Sequence, residues 1–156
     1  MRAAVVVASN RAAAGVYADE TGPIIAEALQ GWGFDVSAPT VCSDGEPVGA
    51  AIAAAVADGA RLVLTTGGTG LTPTDRTPEV TRALLRFEVP GIAEAIRAAG
   101  VAKGVPTAML SRGVAGVVDD ALVVNLPGSR GGVRDALEVL GPVVQHAVEQ
   151  IVGSDH

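Results

Sequence analysis

The sequence predicts an α/β protein with a mostly parallel sheet and helices on both faces. Three observations carry that expectation. Short apolar runs of buried-strand type, Val5-Val6-Val7, Leu62-Val63-Leu64 and Leu122-Val123-Val124, alternate with longer stretches at helical spacing. Apolar residues make up 49% of the chain but aromatics only 3%, so the core must be built from Ala, Val, Ile and Leu, which suits strands packed between helices. Polar, glycine-rich segments follow the strands, where folds of this class hold ligands.

Taken in order, Val5-Val6-Val7 gives a first buried strand, followed by a polar and Ala/Gly loop from Ser9 to Asp19. A helix is expected from Gly22-Pro23 to Trp32, with Pro23 at its first position and Ile25, Leu29 and Trp32 on one face. Asp35–Val41 reads as a single second strand. Glu46–Asp58 reads as a helix with Val48, Ile52 and Val56 inward, ended by Gly59. Arg61–Thr66 is the third strand. Short helices are expected over Pro78–Arg86 and Pro90–Ala99. Val114–Val118 and Leu122–Asn125, separated by Asp119-Asp120, read as a small hairpin. Val133, Leu137, Leu140, Val144, Val148 and Ile151 define a last helix, in which Pro142 is expected to kink or split the run. Residues 1–156 read as one domain, with no internal repeat or linker.

Composition narrows the function. The net charge of −6 disfavours broad binding to nucleic acid or an anionic membrane, so an anionic ligand needs a local site. A chain of 156 residues can bury roughly 70% of its unfolded surface, enough for a substantial core. The single cysteine, Cys42, excludes an internal disulfide and a cysteine zinc cluster, and two histidines, His146 and His156, leave little for a histidine metal site. Cys42 and His146 are read as structural. No apolar run approaches the ~20 residues of a transmembrane helix, and the N-terminal apolar stretch is short for a signal peptide, so a cytoplasmic location is expected.

The richest chemistry lies in Thr65-Thr66-Gly67-Gly68-Thr69-Gly70, followed by Asp75-Arg76-Thr77-Pro78-Glu79. Gly67, Gly68, Thr69 and Gly70 offer amides and a hydroxyl to phosphate oxygens, or form only a tight strand-to-helix turn. The segment is neither a P-loop, which needs Gly-Lys-Ser/Thr, nor a dinucleotide fingerprint. Asp75 is either a metal-binding acid or a helix-start acid, and Thr77 is a candidate N-cap in its own right. Asp44, before Gly45-Glu46-Pro47, is either an Asx-turn residue or a second metal carboxylate. Gly128 and Ser129, ahead of Arg130-Gly131-Gly132, supply donors at a helix start, or simply a cap. Ser111-Arg112 is a phosphate or pterin contact, or a solvated turn.

The order of Ser9-Asn10-Arg11, Gly15-Val16-Tyr17, Thr65–Gly70, Asp75, Thr77-Pro78-Glu79, Pro90-Gly91, Leu110-Ser111-Arg112 and Leu126-Pro127-Gly128-Ser129 resembles the MoaB/Mog family of molybdenum cofactor biosynthesis proteins, which includes the gephyrin G domain. The resemblance runs from about Ala3 to Ile151. It implies a three-layer αβα sandwich assembled as a homotrimer. It also implies Mg²⁺-dependent adenylylation of molybdopterin by ATP, giving adenylyl-molybdopterin and pyrophosphate. Carried onto this chain, the family's catalytic and metal-binding acids fall on Asp44 and Asp75. Its ligand contacts fall on Gly67, Gly68, Thr69, Gly70, Ser111, Gly128 and Ser129. Asn10 stands where many relatives carry Asp. That departure, with the lack of a long insertion near the C-terminal helix, motivates an alternative, a non-catalytic molybdopterin-binding or scaffold paralogue. The chemistry suits the residues: both substrates are anionic, so an acidic protein needs a cation and backbone donors to bring them together.

Overall fold

The computed structural model describes residues 1–153; His156 and its two predecessors lie outside the described residues. Among the described residues, seven strands form one sheet: β1 (Arg2–Ala8), β2 (Asp35–Val36), β3 (Thr40–Cys42), β4 (Ala60–Thr66), β5 (Phe87–Glu88), β6 (Ala115–Val118) and β7 (Ala121–Leu126). The order is β2-β1-β4-β7-β6-β5, with β3 also pairing with β1. Strands β2, β3 and β4 run parallel to β1, and β7 parallel to β4. The β6–β7 pair is the expected hairpin, antiparallel, turning through Asp119 at φ 47°. The helices are α1 (Asn10–Ala13), α2 (Thr21–Gly31), α3 (Glu46–Ala57), α4 (Thr77–Arg82), α5 (Pro90–Ala102) and α6 (Arg130–Ile151), with a 3₁₀ turn over Pro106–Leu110.

Strand alternation divides the core into two layers. Val5, Val7, Leu62, Leu64, Leu122 and Val124 point to one side and pack with Ile25, Leu29, Ile96, Leu140 and Val144 from α2, α5 and α6. Val6, Val63 and Val123 point to the other and meet Val48 and Ile52 of α3. This is the three-layer arrangement that the family resemblance implies. The first crossover places α2 on one face and the next places α3 on the other, so winding reverses between β1 and β4. A crevice therefore opens beyond the carboxyl ends of those strands.

Near that end the inward residues on the α3 side turn polar. Thr65 and Asn125 are register partners on β4 and β7. Asn125 Nδ2 donates to Thr65 Oγ1 at 2.9 Å and to Thr81 Oγ1 of α4 at 3.1 Å, while its Oδ1 accepts from the Val114 amide at 3.1 Å. All three side chains are buried. The network joins two central strands to α4, the helix that follows the glycine-rich loop.

Several local expectations are corrected. Asp35–Val41 is two strands rather than one, because Ser37-Ala38-Pro39 interrupts the pairing with β1, and Pro39 brings no amide to a ladder. The segment after β1 is not all loop: Asn10–Ala13 forms a helical turn capped by Ser9, whose Oγ accepts from the Ala12 amide. Helix α2 starts at Thr21, ahead of Pro23, with Asp19 Oδ1 accepting from the Thr21 and Gly22 amides. Helix α6 runs unbroken through Pro142. Leu140 and Val144 keep its inner face fully seated, and Pro142 lies on the exposed side. The short strand β5 and the 3₁₀ turn carry too few residues to show a period.

Two outcomes test this packing. Leu140→Ala should destabilise the fold by about 2–5 kcal/mol in urea unfolding, whereas Val143→Ala, on the exposed side of α6, should stay within about 0.5 kcal/mol. Asn125→Leu should cost about 3 kcal/mol in the same measurement, because it leaves the Val114 amide and two buried hydroxyls without their partner.

Candidate functional site

Four loops meet at the carboxyl end of the sheet. Thr66 Oγ1 donates to the Pro127 carbonyl at 2.6 Å, tying the β4–α4 loop to the β7–α6 loop. Gly67, at φ +86°, lies so close to β1 that a Cβ there would collide with the Ala8 carbonyl oxygen. Gly68, at φ +68°, lies equally close to the Asp44 carboxylate and the Thr77 hydroxyl. The Asp44 amide donates to Asn10 Oδ1 at 3.0 Å, joining the β3–α3 loop to the end of β1.

The glycine loop is pinned by its carbonyls. Gly68 O accepts from the Thr77 amide at 3.2 Å and Thr69 O from the Arg112 amide at 2.8 Å. Gly70 O accepts from Arg112 Nε at 2.8 Å. A trans peptide sets each N–H opposite the preceding C=O. The amides of Thr69, Gly70 and Leu71 are therefore directed away from these partners, and the same residues line a cleft of about 600 Å³. Amides left free of such partners on cleft-lining residues are what an anion requires.

Gly67–Gly70 and Asp75 form one wall of that cleft, and Pro127, Gly128 and Ser129 at the start of α6 form another. Ser129 caps α6 by accepting from the Gly132 amide at 3.0 Å, so cap and cleft residue are the same side chain. Ser111 also lines the cleft, and its Oγ accepts from the Gly113 amide. The remaining lining has an apolar face, Ile96 of α5 with Val105, Ala108 and Leu110 at and in the 3₁₀ turn, beside Thr107 and Asp135. Sequence reasoning did not find this wall or Arg97, which lines the cleft and donates to the Ser111 and Gly113 carbonyls. The available signal was Gly100, whose missing side chain lets Ala108 pack against α5. A second cavity of about 350 Å³ shares Gly67, Gly128 and Ser129 and opens toward Ser9, Tyr17 and Arg130.

The two acids hold different places. Asp75 lines the cleft, and its Oδ2 accepts from the Thr72 amide at 3.1 Å. Asp44 is not among the cleft-lining residues; it sits behind Gly68, where Oδ1 accepts from the Thr77 hydroxyl at 2.9 Å and Oδ2 from the Arg76 amide at 3.2 Å. Thr77 is thus not the N-cap. It is the first residue of α4 after Arg76, and its hydroxyl is spent on Asp44. Arg112 is neither a solvated turn nor a cleft contact. Besides the bonds above, it donates from Nη2 to the Asp75 carbonyl at 2.8 Å and from Nη1 to Glu79 Oε2 at 2.7 Å. The Arg112 hydrogen bond holds the Glu79 carboxyl below its usual range. Burial, and then the charge of Asp44, pushes the Cys42 thiol up, which disfavours a thiolate and agrees with a structural role.

Among the described residues, no group of three or more His, Cys, Asp or Glu could hold a metal by itself. Asp44 and Asp75 flank the Gly68–Gly70 turn from two sides and offer only hard oxygen donors. That set suits Mg²⁺, which commonly takes one or two carboxylates and completes its shell with substrate phosphates and water. Among the described residues, no helix is long and apolar enough to cross a membrane.

Comparison with known proteins places this geometry in a family. A molybdenum cofactor biosynthesis profile, described as "Probable molybdopterin binding domain", matches residues 4–146. A molybdenum cofactor biosynthesis bifunctional protein of Synechococcus elongatus is 41% identical over 156 residues, covering 99% of this chain and 48% of its own. The chain thus spans about half the length of that relative. A molybdopterin adenylyltransferase of Helicobacter pylori is 34% identical over 154 residues, with 96% and 87% covered. The Mog protein of Mycobacterium ulcerans superposes at a TM-score of 0.91 with 56% identity over 96% of this chain and 98% of that one. The profile match over residues 4–146 and the shared fold place the sheet and its loops in the MoaB/Mog family of molybdenum cofactor biosynthesis proteins, to which this chain belongs.

Proposed function

We propose that this chain is a Mg²⁺-dependent molybdopterin adenylyltransferase. The observation that carries the reading is a cleft lined by Thr69, Gly70 and Leu71, whose amides point away from the partners of the preceding carbonyls, together with Asp75 and the residues that start α6. Phosphates have donors on two sides there, from the glycine loop and from the Gly128-Ser129 turn. The apolar wall of Ile96, Val105 and Leu110 suits the flat ring system of a pterin. Names of relatives that cover most of their length with this chain point the same way.

In this reaction the terminal phosphate oxygen of molybdopterin attacks the α-phosphorus of ATP. The new O–P bond forms as the bond to the β-phosphate oxygen breaks, and pyrophosphate leaves with that electron pair. The chain's own residues bind and orient. The loop amides take phosphate oxygens, Ser111 and Ser129 bound the pterin end, and Asp75 is held by the Thr72 amide at the edge where the phosphates meet. No covalent nucleophile is needed, because positioning and charge neutralisation carry such transfers. Asp44 and Asp75 would hold Mg²⁺, whose charge offsets that developing on the transferred group.

The scaffold alternative rests on Asn10 and on the compact C-terminal region, and the structure bears on the first. Asn10 Oδ1 accepts from the Asp44 amide, a bond that an aspartate oxygen would make equally well, so the substitution preserves how Asp44 is held. A cytoplasmic homotrimer accompanies the proposal on the strength of the family resemblance, and sedimentation equilibrium of the purified chain should give three times 15.5 kDa.

Purified protein with ATP, Mg²⁺ and molybdopterin should release pyrophosphate above a protein-free control; release at the control level would refute the enzyme reading. Asp75→Asn should lower kcat by about 100-fold or more while molybdopterin affinity changes less than about threefold, since it removes a group acting on transferred charge rather than on the pterin. Loss of pterin affinity in parallel with kcat would contradict that role.

A further inference from the structure

We propose that Arg112 is a positioning residue for this site: its planar guanidinium clamps the loop from Gly70 to Asp75, next to the backbone bond from its own amide to Thr69, so that the loop amides and Asp75 are presented as one rigid unit. The inference rests on the adenylyltransferase reading for its catalytic consequence and on the loop geometry for its structural one.

Four hydrogen bonds define the clamp. The Arg112 amide reaches Thr69 O, Nε reaches Gly70 O, Nη2 reaches Asp75 O and Nη1 reaches Glu79 Oε2, all between 2.7 and 2.8 Å. The first two hold the carbonyls of Thr69 and Gly70, and so set the peptide planes whose amides belong to the cleft-lining Gly70 and Leu71, and the third fixes the backbone of the acid itself. Arg112 is not among the residues lining the cleft, so it acts through the loop and not on substrate. Leu71, Thr72, Pro73 and Thr74 bulge into solvent between the clamped points. Their internal bonds, from the Asp75 amide to Thr72 O and from the Thr72 amide to Asp75 Oδ2, are short-range and would not hold the bulge in place alone.

The residue type matters because the partners diverge. Gly70 O, Asp75 O and Glu79 lie around a rigid fork, and a lysine ammonium carries the charge without the fork. Glu79, on the exposed side of α4, completes the fork and ties the loop to the helix anchored by Thr81 and Asn125. Arg112→Lys therefore separates geometry from charge.

Deuterium exchange and steady-state kinetics test this together. In Arg112→Lys and Arg112→Gln, exchange of the amides from Leu71 to Asp75 should rise about tenfold while the melting temperature moves by less than about 4 °C. Both variants should lose about 10–100-fold in kcat with KM for ATP changed less than about threefold, as expected when reacting groups are misplaced but binding persists. Glu79→Ala, which leaves the three loop bonds in place, should give a weaker version of both effects. Unchanged exchange overturns the clamp. Raised exchange with unchanged kcat, or wild-type kcat in Arg112→Lys, overturns its positioning role. Should the wild-type chain release no pyrophosphate, the enzyme reading fails, and the exchange result alone decides the clamp.

Discussion

The structure of this site depends on where the β4–α4 loop sends its carbonyl groups. A turn that is to receive an anion must hide its acceptors and show its donors, and each peptide plane carries both. Here the carbonyls of Gly68, Thr69 and Gly70 are taken up by Thr77 and Arg112, and the following amides, directed away from those partners, belong to residues that line the cleft. The two left-handed glycines at the strand exit make that path possible, and the buried Thr65–Asn125–Thr81 network keeps the strand exit and α4 in fixed relation. Fold and site are thus coupled through hydrogen bonds rather than through hydrophobic packing alone.

The acids fit this division of labour. Asp75 sits on the cleft wall, whereas Asp44 braces the loop from behind through Thr77 and Arg76. The Gly45 amide is a third donor to Asp44, at 2.6 Å to Oδ1; a carboxylate bound by three donors is well oriented and keeps lone pairs for a neighbouring cation. The net charge of −6 makes a local arrangement of this kind necessary, because nothing in the overall field of the protein attracts polyphosphates.

Much of this was legible in the sequence. The Val and Leu runs of β1, β4 and β7 announce a parallel core, and Asp119-Asp120 announces the hairpin turn. The order of the glycine, Ser-Arg and Pro-Gly-Ser segments pointed to the family, and of the candidate site residues, Gly67–Gly70, Asp75, Ser111, Gly128 and Ser129 line one cleft while Asp44 lies outside its lining. What was hidden depended on tertiary contacts. Arg112 read as a ligand contact or a surface turn because its partners lie 33 to 43 positions earlier in the chain, in the glycine loop and on α4. Pro142 read as a break because local propensity has no knowledge that Leu140 and Val144 are anchored on the sheet. The apolar cleft face escaped notice because Ala108 and Leu110 lie on a 3₁₀ turn, and Val105 just before it, without periodic pattern.

The central claim is that the loop's backbone donors receive substrate phosphate. Amide chemical-shift mapping of the isotope-labelled chain, titrated with Mg²⁺ and pyrophosphate, tests it most directly. The account predicts the largest shifts at the amides of Thr69, Gly70 and Leu71, with Gly128 and Ser129 following. Shifts confined to other parts of the surface, with these amides unmoved at saturation, would contradict it.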